Sequence, residues 1–512
     1  MANVSAQHSS SIWMELGPKI PAPPMEADIA CDVLVVGAGI AGLSCAYELS
    51  RFGYSVAVID RGEIGGGMTA RTTAHLASSL DDYYSELIKV HGEDTARRYH
   101  ESQVAAINRI EAICNEEGIE ADFARVDGYL VPASPDHQAD LEDEFQAGRK
   151  IGVDVAWVDA PPVPGNEASR SLCFARQGRV QPAKYLAGLA RCIAGRNGQI
   201  FSNTAYVSHE ESGGRIAVQT AQGHCIDAAH VIFTTNSPVN DRVTLHTKEV
   251  PYRTYALAGK VPRGSVPDIL VWDTLESYHY VRIQPADENH DYLIVGGEDH
   301  RTGEEMDMDR RLSALEDWTR QRYPMLGEVE FRWSGQVLEP IDFMPFTGRN
   351  PGDSNIYVHT GDSGQGITNG VLASLVIAPL ICGQDARFAE TVRPDRKPLA
   401  LPALAEFASG QAGALRNLAE HLGPSEVNSL DDIAPGCGAI LRHGSLKKLA
   451  IYRDENGELT AHSAICTHVG CVVHWNPFEK CWDCPCHGSQ FAISGEVLNG
   501  PAVRPLDPAD LD

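Results

Sequence analysis

The run CDVLVVGAGIAGLSCAYELSRFGYSVAVID, residues 31–60, leaves this chain little freedom of fold. An apolar stretch of strand type ends at Val36, and Gly37, Gly39 and Gly42 follow. A helical pattern then carries on to about Phe52, and a second apolar run closes on Asp60. Glycines at this spacing permit a tight turn, close approach of the backbone to a pyrophosphate, and packing of helix on strand. The helix N-terminus favours phosphate charge, and Asp60 is placed to accept from a ribose hydroxyl. The stretch therefore predicts a dinucleotide-binding α/β unit and leaves open whether the nucleotide is NAD or FAD.

With 512 residues, the chain has length for about three domains. Its formal net charge of −27, with no dense Lys/Arg stripe, would repel a phosphate backbone, so nucleic acid is excluded as a partner. The longest apolar run, GVLASLVIAPLICG from Gly370 to Gly383, falls short of the roughly 20 residues a membrane span needs and contains Pro379. It reads as a buried helix. The first residues lack both a basic and an apolar leader segment, and eight of the thirteen cysteines are scattered singly, as reduced thiols are. The expectation is a cytoplasmic protein with no transmembrane segment.

The other five cysteines crowd between Cys466 and Cys486, which argues for a metal or redox site rather than a disulfide scaffold. Upstream, from about Arg387 to Gly436, the chain is rich in Pro and Ala and reads as a linker plus one helix. Beyond it, short strands are joined by turns at His443-Gly444 and Asn456-Gly457. The clusters are Cys466-x-His468 and Cys484-x-x-His487. Two thiolates can hold one iron and two neutral imidazoles the other, the ligation of a Rieske [2Fe–2S] centre. The same four residues also suit a structural zinc, and Cys481 adds a C-x-x-C with Cys484.

The GAGIAG turn, RVQPAKYLAGLA from Arg179, VIFTTNSP from Val231, DFMPFTG from Asp342 and TGDSGQGIT from Thr360 together resemble the D-amino-acid oxidase/glycine oxidase family of FAD enzymes, over roughly residues 30–385. The resemblance implies an α/β FAD-binding, Rossmann-like domain with an antiparallel-sheet substrate domain, and oxidation of a C–N bond. It places Gly37, Gly39, Gly42, Asp60, Arg71, Thr72, Gly361, Gly364, Gly366 and Ile367 around FAD. His75 lies where some related dehydrogenases attach flavin covalently; a packing or hydrogen-bonding role is the simpler reading.

In the amino-acid oxidases of that family an arginine in a W-x-G-x-R segment grips the substrate carboxylate. Here RWSGQVLEPIDFMPFTG puts Val337 at that place, with Glu339 two residues on and on the same face of a strand. A neutral or cationic amine suits such a pocket better than an α-amino acid. SYHYVRIQP offers Tyr278, Tyr280 and Arg282 as replacements, or else an ordinary strand face. Arg253 reads as structural. The acidic runs Asp140 to Glu144 and Glu304 to Asp309 read as solvated faces.

The C-terminal part resembles the Rieske proteins of quinol-oxidising complexes. There Cys471 and Cys486 hold the positions of a loop-tying disulfide, Gly488 and Ser489 recur, and Gly500 to Ala502 match a proline-containing third loop. Cys481 is left as a free thiol. Phe491 stands where the family often has a tyrosine that hydrogen-bonds a ligand sulfur, and losing that donor lowers the potential.

The whole chain resembles bacterial FAD-dependent oxidoreductases with a fused Rieske domain. The implied organisation is an N-terminal extension over 1–29, the flavoenzyme over 30–385, a linker over 386–430 and an all-β Rieske domain over 431–512. The implied function is oxidation of a small amine or amino acid, with electrons leaving FAD through the [2Fe–2S] cluster to an external redox protein or quinone. Two rivals are an oxidase that uses O₂ while the cluster senses redox state or braces the fold, and an electron-transfer protein whose flavin half does not turn over.

Overall fold

The apolar run at the start of the nucleotide stretch forms the strand Ile29–Val36, flanked in parallel by Val56–Ile59 and Cys225–Phe233. In the computed structural model, which describes residues 2–166, 168–240, 245–303, 307–397, 420–443 and 447–511, Gly37 follows at φ +105°. A Cβ there would lie 2.5 Å from the Thr234 carbonyl oxygen, so only glycine makes this turn. The helix Ile40–Arg51 starts directly after it.

This sheet runs Phe346–Arg349, Ile356–Thr360, Cys225–Phe233, Ile29–Val36, Val56–Ile59, Gln199–Phe201. The hairpin Tyr206–Ser212 and Arg215–Thr220 is attached through Cys225–Phe233. The chain returns late to the sheet with Ile356–Thr360, which leads into the helix Gly366–Ile381. That helix is apolar on most of its surface and is packed against Ile40–Arg51, as a buried helix should be.

The second sheet runs Val329–Pro340, Glu249–Pro262, His290–Arg301, Tyr280–Pro285, Leu270–Asp273, Ala124–Val131, Arg170–Arg179, His75–Leu76, with Val155–Asp159 added on Arg170–Arg179. Its pairs are antiparallel except Leu270–Asp273 beside Ala124–Val131, so the substrate sheet is mixed at one junction.

The C-terminal domain is all-β. Cys437–His443, Lys447–Arg453 and Leu459–Ser463 form one antiparallel sheet, and His474–Asn476, Cys481–Asp483, Gln490–Ala492 and Val497–Asn499 another. The Asn456-Gly457 turn forms, with Gly457 at φ +90° and Asp454 Oδ1 accepting from the N–H groups of Asn456 and Glu458. Residues 444–446, on which the His443-Gly444 turn falls, lie outside the described residues, as do 398–419 of the linker. On the near side of 398–419, Arg396 forms a two-pronged pair with Asp342 (2.7 Å each). On its far side, Glu420 and Glu426 both bind His474 (2.9 Å each).

One acidic run departs from the solvated-face reading. Glu144 is 1% exposed, and its two oxygens accept from the N–H groups of Tyr84 and Ser85, at the open N-terminus of the helix Tyr84–His91. Burial pushes its carboxyl up to about 7. In the second run, residues 304–306 lie outside the described residues, and Asp307 caps the helix Met308–Arg322.

Candidate active site and cluster loops

A large cavity is lined by residues of both major sheets. Of the residues expected around FAD, Gly37, Gly39, Asp60, Arg71, Thr72, Gly364, Gly366 and Ile367 line it, whereas Gly42 and Gly361 do not. Gly42 packs behind the turn against the Gly37 carbonyl, and Gly361 packs against Pro340 and Glu249. Asp60 closes the turn by accepting from the N–H groups of Ala38 (2.8 Å) and Gly62 (3.0 Å). The bare glycine backbone, the helix N-terminus and a carboxylate at the tip of the second strand fit the pyrophosphate and ribose of FAD.

Arg71 lines the cavity, but its guanidinium is committed elsewhere. It donates to the carbonyls of Val4, Ser9 and Ser334, to Ser9 Oγ, and to Glu479 Oε1 of the C-terminal domain at 2.9 Å. Both side chains of that pair are fully buried. Glu479 also accepts from Ser9 and Ser334 through backbone and hydroxyl. Arg253 makes a second buried pair with Asp483 (2.7 Å). Two desolvated ion pairs and the N-terminal segment thus clamp the C-terminal domain onto the rest. Sequence reading took residues 1–29 for an extension, because nothing local in them announces a partner some 470 positions away.

At the other end of the cavity, His75 Nε2 lies 3.2 Å from the Val281 carbonyl, which can only accept, so this nitrogen carries the proton; Nδ1 then accepts from Thr73 Oγ1 (3.1 Å). Burial and the nearby Arg282 push its pKa down to about 3. This geometry suits the hydrogen-bonding reading of His75. Tyr280 lines the cavity, its hydroxyl 2.7 Å from Thr254 Oγ1 and its ring edge-on to His75.

Arg282 is not among the cavity-lining residues and is spent on backbone carbonyls, which corrects the expectation that it could grip a substrate. Only 1% exposed, it donates to the carbonyls of Ala74 (2.6 Å) and Val180 (3.0 Å) and to Gln284 Oε1, over the ring of Trp13. Val337 does line the cavity. Glu339 is absent from the lining and sits opposite Val250 on the neighbouring strand. What sequence reading missed is the pair Asp81 and Asp299, both of which line this end. Asp81 Oδ2 accepts from the Tyr278 hydroxyl (2.8 Å), and Gly364, at φ +68°, leaves the room that this carboxylate occupies. Desolvation by the surrounding protein pushes both carboxyls up to about 7. No local pattern marks them, because one comes from a loop and the other from the strand His290–Arg301.

In the C-terminal domain the four expected donors converge. Cys466 and Cys484 are 2% and 1% exposed with their thiols in contact, and the rings of His468 and His487 stand 5.0 Å apart. The Cys484 thiol, the N–H of His468, the Ser489 hydroxyl and the N–H of Val469 hold Cys466 below the usual thiol range. Burial, His246 and His468 push His487 down to about 3, into the neutral form a metal ligand needs. Its buried Nδ1 has no hydrogen-bond partner among the described residues.

Cys471 and Cys486 are disulfide-bonded directly beside Cys484. This donor set fits a [2Fe–2S] cluster, with sulfur on one side and imidazole on the other. Ser489 Oγ receives the N–H of Ala502 from the third loop, and Phe491, fully buried, offers no donor to a ligand sulfur. Cys481 is a free, buried thiol between Gln7 and Asp483.

The two sites share a wall. Leu498, Asn499 and Gly500 of the C-terminal domain line the large cavity, and Asn499 Nδ2 donates to Gln336 Oε1 (2.9 Å). His246, 3% exposed and contributed by the flavin side, packs its ring 4.9 Å from that of His468 and 5.7 Å from that of His487.

Comparison with known proteins agrees with both halves. The FAD dependent oxidoreductase family matches residues 32–380, and the Rieske [2Fe-2S] domain matches residues 431–509. The chain is 30% identical over 501 residues, 96% of its own length and 95% of the relative's, to YhfW of Bacillus subtilis (strain 168), whose name designates a Rieske 2Fe-2S iron-sulfur protein. It is 27% identical over 401 residues to gamma-glutamylputrescine oxidoreductase of Escherichia coli (strain K12), covering 75% of this chain and 91% of that one. Glycine oxidase from Geobacillus kaustophilus shares the fold, with a TM-score of 0.58 at 17% identity over 70% of this chain and 95% of that one. No helix among the described residues is long and apolar enough to cross a membrane. With one family matching more than half of its length and a relative aligned over nearly all of it, this chain belongs to the FAD-dependent oxidoreductases and carries a Rieske [2Fe–2S] domain on its C-terminal side.

Proposed function

We propose that the chain oxidises the C–N bond of an amine or amino acid and passes the electrons through its Rieske cluster to an external acceptor, a redox protein or a quinone. The observation that carries this reading is the shared wall: Asn499 and Gly500 border the same cavity as Gly37 and Gly364, and His246 fills the space against both cluster imidazoles. A cluster that merely braced the fold has no need to turn its histidine edge toward the cavity-bearing domain. When bound, FAD supplies a two-electron acceptor for the hydride on the carbon next to nitrogen. The chain's own contribution is to hold that carbon in the cavity, with Tyr280 and Thr254 hydrogen-bonded to each other and His75 kept neutral beside them.

The names of the relatives, one an oxidoreductase of gamma-glutamylputrescine and one a glycine oxidase, support amines and amino acids as the substrate class. A cytoplasmic setting suits the scattered free thiols, with the Cys471–Cys486 bridge shielded beside the cluster.

The reading is tested by an anaerobic screen in which amines and amino acids are added to the holoprotein and flavin absorbance is followed. At least one is expected to bleach the flavin within seconds. If none does, the flavin half is not catalytic and the electron-transfer rival takes over.

A further inference from the structure

We propose that the end of the cavity bounded by Asp81, Asp299, Tyr278, Tyr280 and Trp272 receives an ammonium group, and that the substrates of this chain are amines without an α-carboxylate. This rests on the reading of the cavity as the site of C–N oxidation and narrows it to a cationic substrate class.

The first support is the sign of the charge. Asp81 and Asp299 both line this end, and no lysine or arginine among the described residues lines it beside them; Arg311, whose charge acts on Asp299, is outside the lining and donates to the Asp299 backbone carbonyl. The arginines that line the cavity are Arg61 and Arg71. Arg61 adjoins Asp60 at the nucleotide end and donates to the Val497 carbonyl, and Arg71 is consumed by Glu479. Arg282 is locked on backbone carbonyls outside the cavity, Val337 is apolar, and His75 is neutral. A substrate carboxylate would lose its hydration here with nothing to pair with, and would face two acidic groups besides.

The second support is unmet hydrogen-bonding capacity. Ser79, only 2% exposed, lines the cavity two residues before Asp81, and its hydroxyl has no hydrogen-bond partner among the described residues. The buried Oδ1 of Asp299 has none either. An acceptor left in this state calls for a donor from the ligand, and an ammonium brings up to three.

The third is the aromatic lining. Tyr278 and Tyr280 stand with ring centres 5.4 Å apart, their hydroxyls tied to Asp81 and Thr254, so that the rings are held in place beside the carboxylates, with Trp272 in the same wall. Aromatic faces next to carboxylates stabilise an organic cation both through the ring quadrupole and by covering its carbons.

The test uses tert-butylamine, which is protonated at neutral pH and has no α-hydrogen to lose, and pivalate, the carboxylate of the same shape. Each is titrated into the oxidised holoprotein while the flavin absorbance is followed. The ammonium is expected to perturb the spectrum saturably and pivalate to leave it unchanged over the same range. Asp299→Asn and Asp81→Asn, each close in shape to the original, are each expected to weaken the ammonium by about tenfold or more at unchanged FAD content. Tighter binding of pivalate than of the amine overturns the assignment, as does ammonium affinity that stays within about twofold in both variants. Since neither probe can be oxidised, ammonium binding with these losses upholds the assignment even if the oxidation screen fails. Bleaching by amino acids in preference to the matching amines counts against it.

Discussion

Glu479→Ala is expected to destabilise the protein by about 3–5 kcal/mol, because it strands the Arg71 guanidinium as an uncompensated charge in a fully buried place. The same substitution removes the acceptor used by Ser9 and Ser334, so the N-terminal segment and the strand Val329–Pro340 lose their common anchor. Denaturant unfolding followed through the visible absorbance of the cluster gives the loss directly. Limited proteolysis should cut the first sixteen residues faster in the variant than in the parent. A loss below about 1 kcal/mol would mean that the pair is solvated in solution, as exposed pairs are.

Cys484→Ser should abolish the cluster and keep the flavin. A hydroxyl is a poor substitute for a thiolate on iron, and the cluster has one sulfur pair to hold it. Iron is expected to fall from about two atoms per chain to none, and the EPR signal of the reduced, histidine-ligated centre to vanish. FAD should remain at one per chain, since its cradle of Gly37, Gly39 and Asp60 lies in a separate sheet. Stoichiometric zinc in place of iron in the parent protein would restore the structural-zinc alternative.

What could be seen in the sequence was whatever depends on neighbours along the chain. Residues 31–60 declare strand, turn and helix because Gly37 must take a backbone conformation closed to other residues. The four cluster donors declare themselves because two short loops carry all the chemistry, and the resemblance of Cys471 and Cys486 supplied their bridge. What was hidden depends on partners brought together only by folding. Arg71 resembles a cofactor residue until Glu479, 408 positions away, claims it. Arg282 shares a face of its strand with the cavity-lining Tyr280, yet two residues further on its side chain lies outside the cavity and satisfies the carbonyls of Ala74 and Val180. Asp299 lies within the unremarkable strand His290–Arg301 and Asp81 in the loop after His75–Leu76, and only folding places them together. Glu144, within an acidic run, was hidden for the same reason: the N–H groups it caps belong to a helix some 60 residues earlier.

Electrons taken from a substrate must reach the cluster of the same chain if the two halves work together. Anaerobic rapid mixing of the holoprotein with an amine that bleaches its flavin, followed by freeze-quench EPR, measures this directly. The cluster signal is expected to rise after flavin bleaching, at a rate independent of protein concentration, as transfer across the wall formed by His246, Asn499 and Gln336 requires. Flavin that stays reduced beside an oxidised cluster, and then releases peroxide when air is admitted, would contradict it.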